Sequence, residues 1–506
     1  AMSEPTPLRT DRTPCLLFPQ LGERGGGLAR AVQERASLFA RHYERVFIFT
    51  TGFSRSSEAV VAELKARGTL HERVEVRNFF AHSRWVRSLG VPAASARTLP
   101  GEPAVVSKRQ RLPGGPYLRV ADRQSAGSPP FRYRYFDAAG DLLLTTMASP
   151  GKKQEVEAFR PDGTPVDWGA LVAEWVDEEL VGLPLPVLFS LQRGLNDPVL
   201  LASKRAGRKV ASLHNCHYND PEDPTSGIRP SYRPLLDRPR GVDEMVCLTE
   251  QQRRELRHDV PGAVVRAIRY PGRPPRETDV EKDPRLVVLV AQLIERKQVD
   301  HAVRAFAAVV PELPSARLEV YGDGPERARL QQLVDDLGLA GSVRLMGYSL
   351  EVGRAQARAV CTLMTSEFEG YARVINESLV RGTPVVAYDV RYGPHDLIRH
   401  EVDGLLVDVH EPAALAAAIR QLLADPDRAV EMGRRGREIL DRLPVADFEQ
   451  AWLDVLASDR RPPRLTPDAL RGAVRTFRLG GGVQRWRERT SPRRVVRRLT
   501  GALRRS

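Results

Sequence analysis

Two glutamates, Glu369 and Glu377, stand eight positions apart in the stretch EFEGYARVINESLVRGTPVVAYDVRYGP, residues 367–394. The first follows an apolar run, residues 359–364, that reads as a buried strand, and the second falls inside the helix that comes next. This spacing predicts one carboxylate at a strand's C-terminal edge and the other about two turns into a helix whose start faces the same crevice. In an open parallel sheet that edge is where ligands bind. Free amides at the helix start, with Gly370 admitting close backbone approach, suit an anionic group such as a phosphate. An arbitrary pair of glutamates is more often a first-turn acid and a solvated face, so the neighbouring residues must decide.

Such a site needs parallel strands joined through helices, and the flanking sequence supplies them. In the C-terminal half the runs LVVLVAQL, RLEVYGDG, SVRLMGY, AVCTLMTS and PVVAYDV alternate with helical patterns, as in a doubly wound sheet. Lys297 opens a helix directly after the first of these strands, at the same edge as Glu369, where a cation neutralises a diphosphate. In the N-terminal half, CLLFP and RVFIFT flank a glycine loop and a helix. Gly25, Gly26 and Gly27 sit where a βα turn belongs, without the order of a P-loop or a dinucleotide fingerprint. Further on, the strand in RKVASLHNCHYND ends at His214 and His217, at the catalytic edge. A His-x-x-His pair with no third ligand nearby does not make a metal site. The Pro-rich stretch 220–240 reads as a loop that closes over an acceptor, and residues 269–275 as an interdomain linker. Between them in character, residues 105–168 carry two hairpin patterns bent near 137–140 and 161–163, an inserted β-meander serving oligomerisation or a large acceptor.

Length favours two or more domains, and 42% apolar with 28% charged residues is the composition of a water-soluble globular chain. No apolar run nears the roughly 20 residues of a membrane span, and the first residues lack the apolar stretch of a signal peptide, so a cytoplasmic location is expected. Cys15, Cys216, Cys247 and Cys361 have no metal-ligand spacing and read as buried thiols. The net charge of +13 is local. Of 77 basic and 64 acidic residues, the last 47 positions hold fifteen Arg and two acids, which leaves 62 of each sign in the body.

GGGLARA, ERKQVDHAVRAF, VYGDGPERARLQQLVDDLGLAGSVRLMGY, the E-x7-E pair, GTPVVAYDV and EVDGLLV follow one another along the chain. This ordered set resembles glycosyltransferases of the GT-B fold, family 4. Within that family, AYDVRYGP, LHNCH and the meander resemble bacterial enzymes that glycosylate wall teichoic acids, or serine-rich adhesins of the accessory secretion pathway. The resemblance implies an α/β fold of two Rossmann-like domains facing a central cleft. Residues 12–275 would form the acceptor domain, carrying the 105–168 insertion, and 276–445 the nucleotide-sugar domain. A crossover helix would span 446–459, and an Arg-rich tail 460–506. It further implies that Lys297 holds the donor diphosphate, that Glu377 accepts from the ribose, and that Glu369 contacts the donor sugar. Gly370 and Tyr371 would offer amides, Gly26 and Gly27 would approach the phosphates, and His214 would lie beside the reacting carbon. His217 is the second choice for that role and, with Arg391, a candidate acceptor contact. Family members usually have Arg where Gln292 stands, so either Arg296 substitutes or the diphosphate is held more weakly.

The implied reaction is retaining transfer of GlcNAc or glucose from a UDP-sugar to a hydroxyl of a poly(polyol phosphate) or a Ser/Thr-rich protein. No cofactor or metal is expected, because the one Asp-x-Asp string, at 425–427, lies in an interhelical turn. The same fold acting on a lipid-linked glycan or a small metabolite, or an inactive homologue binding polyanions, is the alternative. In the tail, Val495, Val496, Leu499 and Leu503 fall near helical spacing among arginines. That composition suits a peripheral membrane helix, a polyanionic acceptor or a solvated basic segment equally. Nucleic acid is not expected, since the tail lacks interleaved aromatics.

Overall fold

Strands such as Thr13–Phe18 and Ala359–Met364 are buried at every position, because parallel strands carry helices on both faces and read as unbroken apolar runs. The computed structural model describes residues 8–22, 27–52, 57–83, 106–111, 118–123, 132–136, 142–148, 156–159, 165–194, 196–275 and 280–459. Gly25, Gly26, both predicted bends of the meander and the whole tail 460–506 lie outside the described residues.

Two parallel sheets build two lobes. The N-terminal sheet runs, edge to edge, Val265–Ala267, Glu244–Cys247, Arg208–Ser212, Pro186–Ser190, Thr13–Phe18, Val46–Thr50, Val74–Asn78. The C-terminal sheet runs Val343–Gly347, Arg317–Tyr321, Asp283–Val290, Ala359–Met364, Val385–Tyr388, Gly404–Val407. Counted along the chain, the second has the order 3-2-1-4-5-6 of a doubly wound nucleotide-binding sheet. The first repeats that order with one more strand. Each therefore has a crevice where the winding reverses, after Thr13–Phe18 in one lobe and between Asp283–Val290 and Ala359–Met364 in the other. The expected fold class is the observed one. The edge strands Val74–Asn78 and Val265–Ala267 carry no long apolar run, since they are only partly covered.

The insertion is a six-stranded antiparallel meander in chain order, from Val106–Arg111 to Pro165–Val166. Its second strand, LRVADR, breaks the apolar pattern because it buries a charge. Asp122 is fully buried, with Arg132 at 2.6 Å and Arg134 at 2.9 Å. Tyr135 stacks on Phe80 of the N-terminal lobe at 4.7 Å, which docks the meander there.

Two stretches of chain cross between the lobes and pack there. The helix Val445–Ala457 crosses back so that Trp452 packs on Phe39 and Phe189, with the buried Arg35 guanidinium 3.6 Å above its ring. The stretch expected to be a linker is a packed strap: Tyr371 Oη donates to Tyr270 O at 2.7 Å and Asn376 Nδ2 to Pro271 O at 3.1 Å. All four cysteines are buried thiols. Among the described residues no helix is long and apolar enough to cross a membrane.

Candidate active site

The winding reversal of the C-terminal sheet places two loops side by side. One is the turn Glu295–Lys297 after Asp283–Val290, and the other is residues 365–372 after Ala359–Met364. Lys297 does not open the next helix as expected. It ends a single 3-10 turn, Gln298 takes a left-handed conformation, and the helix begins at Val299. Thr365 Oγ1 donates to Lys297 O at 2.9 Å, and Glu367 N to Arg296 O at 2.9 Å, which zips the loops together. As a result Lys297 Nζ donates directly to Glu369 Oε1, and Ser366 Oγ donates to the same oxygen at 2.7 Å. The resemblance implied separate ligands for the lysine and the glutamate, whereas the structure joins them in one ion pair with little exposure, Glu369 being 9% exposed.

Glu377 lies in the helix Arg373–Leu379, one turn in rather than two, because the helix starts late, after Ala372 in a left-handed conformation. Its carboxylate is half-exposed, 3.5 Å from Arg30 Nη1 and 3.9 Å from Arg373 Nε. Arg373 in turn donates to Glu34 Oε1 at 3.1 Å. Arg30 and Glu34 belong to the helix Gly27–His42 that follows the glycine loop, so this helix faces the E-x7-E helix across the cleft. The amides of Gly370 and Tyr371 have no acceptor among the described residues.

His214 follows the strand Arg208–Ser212, at the C-terminal edge of the N-terminal sheet. A Cβ added to Gly370 would stand 1.9 Å from His214 O, so the two lobes meet backbone to backbone and only glycine fits. Sequence reading assigned that glycine to ligand approach, and here its close neighbour is the other lobe. The His214 Nε2 atom is buried without a hydrogen-bond partner among the described residues. Burial, with the guanidiniums of Arg35, Arg193 and Arg373 adding to it, holds the imidazole well below its ordinary pKa and keeps it neutral.

His217 and Arg391 were candidates for touching an acceptor. The structure buries His217 completely, its Nε2 3.5 Å from Asp259 Oδ2 and its Nδ1 3.3 Å from Tyr392 Oη. Tyr392 also donates to Glu255, and Arg391 lies 3.6 Å from that carboxylate. These residues therefore form a junction between the lobes, and His217 has no surface to offer a substrate. Gln292 is exposed beyond the end of its strand and has no partner in the cluster. Gly27 starts its helix at the surface. Sequence reasoning missed Ser366, Arg30, Glu34 and Arg373. Ser366 was within reach, three residues before Glu369, but the cross-lobe partners carry no local signal.

Residues 274–439 match the family model described as Glycosyl transferases group 1. The chain carries a glycosyl transferase group 1 domain. That match spans the whole cluster from Lys297 to Glu377. A 259-residue stretch is 35% identical to an exopolysaccharide phosphotransferase of Streptomyces coelicolor, covering 49% of this chain and 27% of that protein. Another of 278 residues is 26% identical to the poly(glycerol-phosphate) alpha-glucosyltransferase of Bacillus subtilis, covering 53% of this chain and 40% of that one. The chain thus spans less than half the length of these relatives. Among solved structures, Staphylococcus aureus TarM with UDP bound superposes with a TM-score of 0.69 at 15% identity, over 88% of this chain and 100% of that one. Identity that low establishes the shared fold.

Proposed function

We propose that this group 1 domain works within a retaining transferase that moves GlcNAc or glucose from a UDP-sugar to a hydroxyl of a phosphate-bearing polymer. The observation that carries the reading is the Lys297–Glu369–Ser366 cluster at the winding reversal, next to Gly370, whose backbone meets that of His214 from the other lobe. Departure of a nucleoside diphosphate leaves negative charge on the leaving oxygen and positive charge at the anomeric carbon. Lys297, with the unoccupied amides of Gly370 and Tyr371, stabilises the first, and preorganised donors of this kind are usually the largest catalytic contribution. Glu369, paired with Lys297, orients sugar hydroxyls. Glu377 exchanges its pairing with Arg30 for the ribose hydroxyls. His214, held neutral, offers Nε2 near the reacting carbon without adding a like charge to the oxocarbenium-like state.

The relative named for poly(glycerol-phosphate) supports an anionic polymer as acceptor. Because a lysine and amides serve the leaving group, the reaction proceeds without a metal, and transfer persists in EDTA. The test is UDP release from UDP-GlcNAc and UDP-glucose, measured with and without poly(glycerol phosphate). Acceptor-stimulated release from either donor is expected. Absence of turnover with every nucleotide sugar tried overturns the reading.

A further inference from the structure

Phe368, the residue before Glu369, has its ring approached by two guanidiniums from opposite lobes. Arg229, on the Pro-rich loop of the N-terminal lobe, has Cζ 4.4 Å from the ring centroid. Arg296, beside Lys297 in the C-terminal lobe, has Cζ at 5.5 Å. One cation over an aromatic face is favourable, by about 0.5–2 kcal/mol. Two converging on the same ring repel each other in the partly desolvated cleft. Nothing nearby neutralises them: among the described residues, neither Arg229 nor Arg296 makes an ion pair with a carboxylate. Arg229 is fixed through Nε, which donates to Tyr218 O at 2.5 Å, so its terminal nitrogens are left over. Arg296 Nη1 is buried with no acceptor among the described residues. The loop bearing Arg229 is itself tied to the C-terminal lobe, where Glu222 Oε1 lies 2.9 Å from His410 Nε2. Both cations are thus held against one ring, without a carboxylate partner among the described residues, at the seam where the lobes meet.

We propose that Arg229 and Arg296 form a binding site for a phosphodiester of the acceptor polymer. This rests on the transferase reading above for the acceptor's identity as a phosphate-bearing chain. With its face on Phe368, a guanidinium still presents its N–H edge, and that fork matches two phosphate oxygens. The acceptor's phosphate is favoured over the donor's because Arg229 belongs to the lobe opposite the nucleotide sheet, and Lys297 with two unoccupied amides already serves the diphosphate. One arginine from each lobe makes the site complete only when the cleft is closed. An anionic polymer then bridges the lobes at a fixed distance from Glu369, which sets which hydroxyl along the repeat reaches the sugar.

Isothermal titration of the full chain with a glycerol phosphate hexamer, and separately with UDP, tests this. Arg229→Gln is expected to weaken hexamer binding at least tenfold and to leave UDP affinity within twofold. Arg229→Lys, which keeps the charge and loses the fork, recovers part of the hexamer affinity and guards against a misfolded variant. Unchanged hexamer affinity in Arg229→Gln overturns the proposal, as does a parallel fall in UDP affinity, which would assign the pair to the donor. The readout is binding, so a chain that turns over no UDP-sugar fails the transferase reading without deciding this one.

Discussion

Lys297 and Glu369 each neutralise the other, and that governs how their substitution must be read. Removing one partner of a scarcely exposed pair leaves an uncompensated charge, a loss of about 3–5 kcal/mol in buried cases and less here, where both side chains keep some solvent contact. Lys297→Met and Glu369→Gln are each expected to lower transfer by about a hundredfold or more, and to lower the melting temperature. The double variant should regain part of the melting temperature and none of the transfer, checked by calorimetry beside the UDP-release assay. His214 gives the pH signature. Its folded pKa lies below the unfolded one, so the unfolded chain binds more protons once pH falls under about 6.5. Stability is present above that value and declines on acidification, by at most about 1.4 kcal/mol per pH unit for one proton. His214→Gln should flatten this decline in urea titrations at pH 5 to 7. An unaltered slope would show that the proton goes elsewhere.

At the scale of elements, the helix Gly27–His42 and the helix Arg373–Leu379 face each other through Arg30–Glu377 and Glu34–Arg373, and the strand-end loops meet at His214 and Gly370. This contact is backbone against backbone, so no side-chain rotation relieves an added methyl. Gly370→Ala is therefore expected to push the lobes apart by a fraction of an ångström to an ångström. A shift of that size costs about a hundredfold in rate when it separates reacting groups. Affinity for UDP alone, which the proposed function assigns to the C-terminal lobe, should change much less. Equal losses in UDP affinity and in transfer would mean that Gly370 serves the nucleotide and not the seam. The E-x7-E spacing, the strand before it and the glycine after the first acid were all legible, because local apolar runs and glycine punctuation report local structure. The 3-10 turn at Lys297 was not, since a helix that starts two residues late leaves the same apolar period.

For the whole molecule, charge and architecture separate. The body is neutral and all of the excess lies in 460–506, beyond the last described helix. Truncation after Asp459, which keeps its ion pair with Arg12, should leave transfer to a small acceptor unchanged. It should also lower binding to anionic vesicles or to poly(glycerol phosphate) by an amount that shrinks as salt is raised. Vesicle and polymer binding that both survive truncation would remove the tail from substrate and membrane recognition alike. The meander is anchored on the N-terminal lobe by Tyr135 stacked on Phe80. Its two hairpins were visible as turn signals, whereas the pairing of Asp122 in its second strand with Arg132 and Arg134 in its third carries no local signal.

By itself the sequence determined the alternation of strands and helices, the place of Lys297, Glu369 and Glu377 at one sheet edge, and the confinement of charge to the tail. These follow from short-range periodicity and composition, which a linear chain displays directly. Tertiary structure alone decided that Lys297 pairs with Glu369, that Gly370 seats against His214, that His217 is a buried link, and that Arg229 and Arg296 converge on Phe368. Each of those pairs residues distant along the chain or from facing loops, and the free energy that brings them together comes from burying the surfaces between two lobes.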